Sequence, residues 1–248
     1  MKIYEHKQSF KIKYCDVDFK DELKISAALA YMEEVASDSA EELGFGYSFI
    51  KPNGYAFIVS NIYCEFIRPI RLGETVTFKT WPTPPSHVIF GREYQAIDAK
   101  EDVLFNASSR WCLMNMATGK LLQSKVIENQ DYSTYNITKL IEGIQWKIPT
   151  FTQEEGNLKY SLKIANSEYD HNMHVNNTRY ADYCLNCFSI EELAIKRLKT
   201  FAISYVKQCR EGDDLSFYLK ELGDGVYFTQ GFNQNREIVV QARITFEE

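Results

Sequence analysis

A polar segment at residues 169–180, YDHNMHVNNTRY, concentrates side chains that can do acid/base chemistry. It places a carboxylate (Asp170), a carboxamide (Asn172) and an imidazole (His174) at alternate positions. Alternate residues of an extended segment share one face, so we expect these three side chains to point together. A carboxylate or an imidazole can take up a proton, and a carboxamide can orient the reacting groups. The segment therefore predicts an acid/base cluster.

Two asparagines, Asn176 and Asn177, follow this cluster at the predicted start of a helix near Thr178. Asn is a preferred helix N-cap, and the first amides of a helix carry partial positive charge. A second interpretation stays open, because Asp and Asn also favour turns and caps for purely local hydrogen bonds. The segment is therefore either a reactive cluster placed at a helix start or an ordinary capped turn.

The first half of the chain predicts one helix followed by strands. Apolar or small residues recur at three- and four-residue steps between Ser26, which resembles a cap, and Gly44, which resembles a helix stop. Strand-like runs follow, separated by Pro, Gly and polar turns, at residues 55–66, 75–81, 87–97 and 103–114. This order predicts an antiparallel meander that wraps a helix.

The second half repeats this order of elements. We expect its helix to carry Tyr180, Tyr183, Cys184, Cys187 and Phe188. We expect its strands at residues 158–164, 201–209, 215–222, 226–230 and 238–246. The repetition predicts two similar αβ halves in one chain.

Two short matches support an internal duplication. Residues 16–18 precede the first helix as residues 170–172 precede the second, and residues 71–74 resemble residues 210–213. The first copy lacks an Asn-x-His continuation after its aspartates. We therefore expect the chemistry in the second half only.

Length and composition predict an ordinary globular protein. The chain has 248 residues, of which 45% are apolar and 25% charged, as is usual for soluble proteins. Domains usually hold about 100 to 150 residues. We predict an N-terminal domain at residues 1–122, a linker at 123–157 and a C-terminal domain at 158–248.

Charge and cysteine usage exclude several classes of function. The formal net charge of −6 argues against a general nucleic-acid binder. No run approaches the ~18 apolar residues of a membrane helix, and no signal-peptide pattern opens the sequence, so we expect a cytoplasmic protein without membrane insertion. Cys184 and Cys187 form a CxxC without a second pair at zinc-site spacing. We therefore predict neither a metal nor a cofactor.

The string D-x-N-x-H-V-N-N-x-x-Y at residues 170–180 resembles the catalytic motif of the acyl-ACP thioesterases, which release fatty acids from acyl carrier protein. Residues 92–94, 107–115 and 205–209 resemble strands of the same family, so the resemblance extends over nearly the whole chain. It implies an α+β tandem double hotdog, in which two antiparallel β-sheets, or one continuous sheet, each wrap a long central α-helix. It also implies hydrolysis of fatty acyl-ACP in fatty acid biosynthesis.

The resemblance implies roles for particular residues. Asp170, Asn172 and His174 would be catalytic, together with Gln208 on a strand position where the family commonly carries Glu. A carboxamide does not accept a proton usefully at neutral pH, so the base would be Asp170 or His174, and both assignments stay open. Substrate-binding candidates are Asn176 and Asn177 at the helix start and, along an acyl pocket in the first half, Tyr31, Met32, Phe57 and Ile58.

The implied partner is acyl carrier protein with its acyl chain on 4′-phosphopantetheine. Basic residues of the second half, among them 196–199, would meet the acidic carrier by charge complementarity. Two alternatives stay open: an acyl-CoA thioesterase with the same site, and a non-catalytic protein that binds acyl groups or the carrier. The oligomeric state is also open, with a homodimer as one alternative.

Overall fold

The computed structural model describes residues 3–127, 132–170 and 173–247, and the chain divides into two compact units. The first unit comprises Met1–Ile62 and Ile67–Ile144, and the second comprises Tyr63–Phe66 and Gln145–Glu248. The first half contains β1 (His6–Lys11), α1 (Ile25–Glu42), α2 (Tyr47–Ile50), β2 (Tyr55–Phe66), β3 (Thr75–Pro82), β4 (Ile89–Ile97), β5 (Val103–Asn115) and β6 (Lys120–Leu122). The second half contains β7 (Asn157–Lys163), α3 (Asn177–Leu185), α4 (Ile190–Ile195), β8 (Arg197–Tyr205), β9 (Asp214–Gly223), β10 (Val226–Phe232) and β11 (Ile238–Glu247).

The strand order is the same in both units. It is β1-β3-β4-β5-β2 in the first and β7-β9-β10-β11-β8 in the second, with β6 paired to β5. The pairs β1–β3, β3–β4, β4–β5, β7–β9, β9–β10, β10–β11 and β11–β8 are antiparallel. The predicted duplication is confirmed. The meander is limited to β3, β4 and β5, because β2 lies beside β5 rather than β3.

Equivalent strands bury equivalent side chains. Val76 and Phe78 are fully buried on β3, and Leu215 and Phe217 are buried on β9, with less buried residues between them. Successive side chains of a strand point to opposite faces, so each strand presents one apolar face. This period-two pattern is what directs both sheets towards a core.

Helix α1 supplies the centre of the first core. Its buried residues recur at the spacing of one helical face and are Ile25, Ser26, Ala28, Leu29, Met32, Val35 and Ser39; the helix packs on β1 and β3. Ser26 is therefore not the predicted cap: the N-cap is Lys24, which makes no side-chain capping bond. Gly44 ends the helix region as predicted, with φ at +79°.

The central helix of the second unit is shorter than that of the first. Helix α3 has nine residues against eighteen in α1, so Cys187 and Phe188, predicted on the helix, lie beyond its end. Helix α4 then begins at Ile190, and the hydroxyl of its N-cap residue, Ser189, accepts the Glu192 N–H. Within the described ranges no helix is long and apolar enough to span a membrane.

Each unit contains an equivalent glycine turn, and the two turns show which residues of the units correspond. Main-chain hydrogen bonds of 2.9–3.0 Å join Ile12 to Gly73 and Glu74 in the first unit, and Ile164 to Gly212 and Asp213 in the second. Gly73 and Gly212 have φ of +81° and +87°, a conformation that favours glycine. Equivalent residues are thus 152 apart before the helices (164 minus 12) and 139 apart after them (212 minus 73).

Strand β8 covers Arg197–Tyr205, whereas the sequence predicted residues 201–209. The N–H groups of Val206 and Lys207 both donate to the Val239 carbonyl, at 2.9 and 3.1 Å. Two donors on one acceptor break the regular ladder of an antiparallel pair. The chain leaves the sheet at that point, so Gln208 lies on a loop and not on a strand.

Hydrogen bonds join the predicted linker to both units. In the first unit, Glu93 Oε2 accepts the Leu140 N–H at 3.2 Å. In the second unit, the Gln230 side chain donates to the Phe151 carbonyl at 2.6 Å and accepts its N–H at 3.4 Å. Phe151 belongs to a buried cluster against which Tyr63 packs. Residues 123–157 are therefore shared between the units.

We predict that Glu93→Gln stabilises the fold at neutral pH. Burial raises the pKa of Glu93 above its ordinary 4.5, so the stability from this carboxyl is present below pH 4.5 and is lost as pH rises through the raised value. Ser108 and Leu140 both donate to the same oxygen, Oε2, which the amide oxygen of Gln can replace. Urea unfolding should show a higher free energy of unfolding for Glu93→Gln at pH 7.

The same experiment has a built-in control. The advantage of Glu93→Gln should shrink as pH falls below 4.5, because the wild-type carboxyl then becomes protonated in both states. Glu93→Ala should be less stable than the wild type at both pH values, since it leaves the Leu140 N–H without its acceptor. A pH-independent difference between Glu93→Gln and the wild type would contradict the prediction.

Candidate active site

Residues 169–170 pair with residues 173–175 in an antiparallel hairpin directly before α3, in contrast to the extended stretch that the sequence suggested. Tyr169 and Val175 form an antiparallel bridge, and the Asp170 N–H donates to the His174 carbonyl at 2.8 Å. The Met173 N–H donates to the Asp170 carbonyl at 3.1 Å, and Met173 has φ of +61°. A left-handed residue just before the returning arm is common in short hairpin connections.

The hairpin still brings Asp170 and His174 together. The two residues are directly opposite across the antiparallel pair, where side chains emerge on the same face with Cβ atoms about 5 Å apart. The His174 N–H also donates to Asp170 Oδ1, at 3.3 Å. Both residues are half-buried. A carboxylate and an imidazole therefore share one face of the turn, while Asn172, the third predicted catalytic residue, lies outside the described residues.

Asn176 is the N-cap of α3, as predicted. Its Oδ1 accepts the Thr178 N–H at 2.8 Å and the Thr178 hydroxyl at 2.7 Å. Its own N–H donates to the Glu168 carbonyl at 2.8 Å, which ties the helix start to the turn before the hairpin. Asn177 is the first helical residue, and its carbonyl accepts the Tyr205 hydroxyl at 3.1 Å.

Gln208 lies on the exposed loop that follows β8, next to the buried Cys209. This loop contacts the hairpin segment through Tyr169, whose hydroxyl accepts the Glu211 N–H at 2.6 Å. The sequence reasoning did not single out Tyr169. Its position immediately before Asp170 was the only available signal, because the contact depends on the path of a distant loop.

The first unit contains the same hairpin with different side chains. The Asp18 N–H donates to the Glu22 carbonyl at 2.8 Å, the Asp21 N–H donates to the Asp18 carbonyl at 3.1 Å, and Asp21 has φ of +56°. Asp18 and Glu22 therefore occupy the positions that Asp170 and His174 occupy in the second unit, and Lys20 corresponds to Asn172 in the sequence. The predicted match of residues 16–18 with 170–172 was wrong by two positions.

Ion pairs occupy the first-unit hairpin. Glu22 pairs with Lys20 at 3.2 Å and with Arg71 at 3.3 Å. Asp18 Oδ1 accepts the N–H groups of Lys20 and Glu22 at 2.8 and 3.2 Å. These groups satisfy one another, so the predicted absence of a second Asp-x-Asn-x-His site agrees with a hairpin that is stabilised by its own charges.

Family models match almost the whole chain. The acyl-ACP thioesterase N-terminal domain matches residues 3–129, and the acyl-ACP thioesterase C-terminal domain matches residues 152–248. The chain belongs to the acyl-ACP thioesterase family. The two matched segments leave out only part of the predicted linker, and the second contains the hairpin, α3 and the Gln208 loop.

Curated relatives of this acyl-ACP thioesterase family member come from plants. An oleoyl-acyl carrier protein thioesterase, chloroplastic, of Coriandrum sativum is 20% identical over 84% of the chain. An acyl-[acyl-carrier-protein] hydrolase, chloroplastic, of Cuphea viscosissima is 23% identical over 82% of it. The matches cover 60% and 52% of those relatives, so the chain spans little more than half of their length.

Solved structures of acyl-ACP thioesterases share the fold. One from Bacteroides thetaiotaomicron has a TM-score of 0.87 at 23% identity and covers 98% of both chains. The 12:0-ACP thioesterase from Umbellularia californica has a TM-score of 0.87 at 17% identity and covers 98% of this chain and 97% of that one. The predicted α+β double hotdog is thereby confirmed.

The candidate acyl-pocket residues of the family member lie in its first unit. Tyr31 is half-buried, stacks near Phe10 with ring centroids 4.5 Å apart, and donates to Asp16 at 2.7 Å. Met32 is 2% exposed, whereas Phe57 and Ile58 are half-buried. Their role in holding an acyl chain stays a prediction.

The cysteines are reduced and largely enclosed. Cys184 and Cys187 are free and buried, and burial raises the pKa of Cys184 to about 12. Burial also raises the pKa of Cys209, which favours an unreactive thiol. Among the described residues, no group of three or more His, Cys, Asp or Glu side chains could hold a metal ion.

We predict that Asn176→Ala destabilises the protein by about 1 kcal/mol, the usual cost of losing an Asn cap. Asn176→Asp keeps an oxygen acceptor for Thr178 and should retain most of the stability. Asn177→Ala is the matched control, since Asn177 contributes its main-chain carbonyl to the Tyr205 contact. Urea unfolding followed by circular dichroism measures all three, and equal stability of Asn176→Ala and Asn177→Ala would disprove the capping role.

Proposed function

We propose that this chain is a thioesterase that hydrolyses fatty acyl-[acyl-carrier-protein] to free fatty acid and holo-ACP. The observation that carries the proposal is the face-to-face pair of Asp170 and His174 at the base of a hairpin. This hairpin directly precedes α3, and both lie within the segment that the family's C-terminal model matches. The same hairpin in the first unit holds Glu22 in ion pairs, so the second unit is the one proposed to act.

The proposed reaction is addition of water to the thioester carbonyl followed by loss of the thiol. Asp170 either removes a proton from the water or attacks the carbonyl itself, and His174 orients the reacting groups or takes the proton. If water attacks, its C–O bond to the carbonyl carbon forms, the C–S bond breaks, and the proton taken from water goes to the pantetheine sulfur. If Asp170 attacks, a mixed anhydride forms as the C–S bond breaks; water then hydrolyses the anhydride, which restores the Asp170 carboxylate and supplies the proton to the sulfur. Asn172 and Gln208 are proposed to position the carbonyl and the water through their amide groups.

The start of α3 offers a donor for the oxyanion. The Asn176 side chain takes the Thr178 N–H, whereas the Asn177 N–H has no acceptor within the described part of the chain. A first-turn amide also carries partial positive charge. We assign the Asn177 N–H as the candidate oxyanion donor, a role worth about 3 to 4 kcal/mol in other enzymes.

Carrier recognition is proposed to use exposed arginines near the hairpin. Arg179 is exposed on α3 and donates to the Ser167 carbonyl at 3.4 Å, and Arg210 is exposed two residues after Gln208. Positive charge at the mouth of a site attracts an acidic carrier. Tyr31, Met32, Phe57 and Ile58 are proposed to contact the acyl chain, at about 0.8 kcal/mol per buried methylene.

We expect Asp170→Asn and His174→Asn each to lower kcat by about 100-fold or more, the usual loss for a general acid or base. Asp170→Asn keeps the Oδ1 acceptor for the His174 N–H, so the hairpin should persist. Asp38→Asn and His87→Asn, which change exposed residues of the first unit, are matched controls with unchanged activity. Activity of the purified Asp170→Asn and His174→Asn variants at the wild-type level would rule out the proposed site.

A labelling experiment tests for attack by Asp170 as opposed to activation of water. If Asp170 attacks the thioester and water opens the anhydride at the Asp170 carbonyl, turnover in ¹⁸O-water places label in the Asp170 carboxylate, which mass spectrometry of the peptide would detect. If Asp170 or His174 activates water, the label appears only in the fatty acid.

We also predict a higher kcat/KM for acyl-ACP than for acyl-CoA with the same acyl chain. Charge complementarity with a protein carrier should make the acyl-ACP rate fall with added salt more steeply than the acyl-CoA rate. Arg179→Ala and Arg210→Ala should weaken the salt dependence for acyl-ACP. A preference for acyl-CoA would identify the alternative carrier, and binding without hydrolysis would identify the non-catalytic alternative.

A further inference from the structure

The two units close their hairpins differently. In the first unit the loop between β2 and Gly73 binds the hairpin through its main chain. The Leu72 N–H donates to the Asp21 carbonyl at 3.0 Å, and the Leu23 N–H donates to the Ile70 carbonyl at 2.7 Å. Arg71 adds an ion pair to Glu22. The edge of this hairpin is therefore covered by main-chain bonds and charge.

In the second unit a tyrosine side chain replaces these main-chain bonds. Glu211 is the counterpart of Leu72, and its N–H donates to the Tyr169 hydroxyl at 2.6 Å instead of to a hairpin carbonyl. The first-unit counterpart of Tyr169 is Val17, which has no polar group to offer. The replacement is therefore specific to the unit that carries Asp170 and His174.

A second tyrosine lies beside the same loop. Burial and the neighbouring Cys209 raise the pKa of Tyr180, on α3, and Cys209 is the counterpart of Ile70. Within the described residues, Met173, His174 and Val175 make no main-chain hydrogen bond to residues 206–211. The Tyr169 hydroxyl thus joins the loop to the hairpin, and the described residues of the hairpin edge have no main-chain partner from that loop.

We infer that Tyr169 is a positioning residue that sets the distance between the Asp170–His174 hairpin and the Gln208 loop, so that a thioester can enter where the first unit is closed. The inference rests on the proposed function and adds a residue to it. Tyr169 is adjacent to Asp170 and forms a β-bridge with Val175. Its hydroxyl accepts a hydrogen bond from the N–H of Glu211, three residues after Gln208. One side chain therefore connects both halves of the proposed site.

Tyr169→Phe tests the inference because it removes only the hydroxyl. Loss of this acceptor should let the loop move, and small misplacement of a positioning group costs up to about 100-fold in rate. We expect kcat for acyl-ACP to fall between about 10-fold and 100-fold with little change in KM. The Glu211 amide, without its acceptor, should exchange hydrogen for deuterium faster than in the wild type. Thermal unfolding should show that the variant stays folded.

Two comparisons separate positioning from a general structural effect. Tyr227→Phe removes a phenol hydroxyl from the same unit, where it bonds Lys196 and Glu221, and should leave kcat unchanged. A double-mutant cycle with Gln208→Ala should show that the loss caused by Tyr169→Phe largely disappears once Gln208 is absent. The same fold-loss in both backgrounds would show that Tyr169 does not act through the Gln208 loop and would overturn the inference.

The outcomes distinguish this inference from the proposed function. If the wild type hydrolyses acyl-ACP and Tyr169→Phe does so equally well, only the inference fails. If the wild type hydrolyses no acyl thioester, the proposed function fails, and the exchange rate of the Glu211 amide still decides whether the Tyr169 contact exists.

Discussion

The main-chain hydrogen bond from Asp170 to His174, at 2.8 Å, is the constraint on which the proposed chemistry depends. It pairs the two arms of a hairpin whose returning arm follows a left-handed residue. The second unit places Met173 there, with φ of +61°, although a non-glycine residue in this conformation is unfavourable. The bridge between Tyr169 and Val175 and the cap at Asn176 hold the chain on either side. A polar sequence alone would not pair a carboxylate with an imidazole.

Sequence reasoning found the elements and missed the turns between them. The strand at residues 55–66 agrees with β2, because a run rich in aromatic and β-branched residues that is bounded by glycine and proline is typical of a strand. The polar 169–175 segment was predicted to be extended, since its alternation is equally compatible with a strand and with a hairpin. Only the repeated bonds of Asp18 and Asp170 reveal which one forms.

The position of Gln208 shows a second limit of the sequence. The apolar run at residues 201–209 reads as one strand, but the Val239 carbonyl accepts two successive N–H groups and turns the chain out of the sheet. Irregularities of this kind depend on the register of a partner strand and leave no local pattern. The role of Tyr169 also leaves no local pattern, because its partner Glu211 lies 42 residues later in the chain. The domain bounds at 122 and 157, the cytoplasmic location and the homodimer stay predictions.

The four residues Tyr63–Phe66 lie in the middle of the first half of the sequence and yet belong to the second unit, where Tyr63 packs against the Phe151 cluster. Duplication of an ancestral gene normally yields copies that are each complete in sequence. Here the second unit includes part of strand β2, so cleavage of the chain between the two halves would leave the C-terminal fragment without residues 63–66. Recombination that exchanges only the second half between relatives would therefore have to include this short stretch as well.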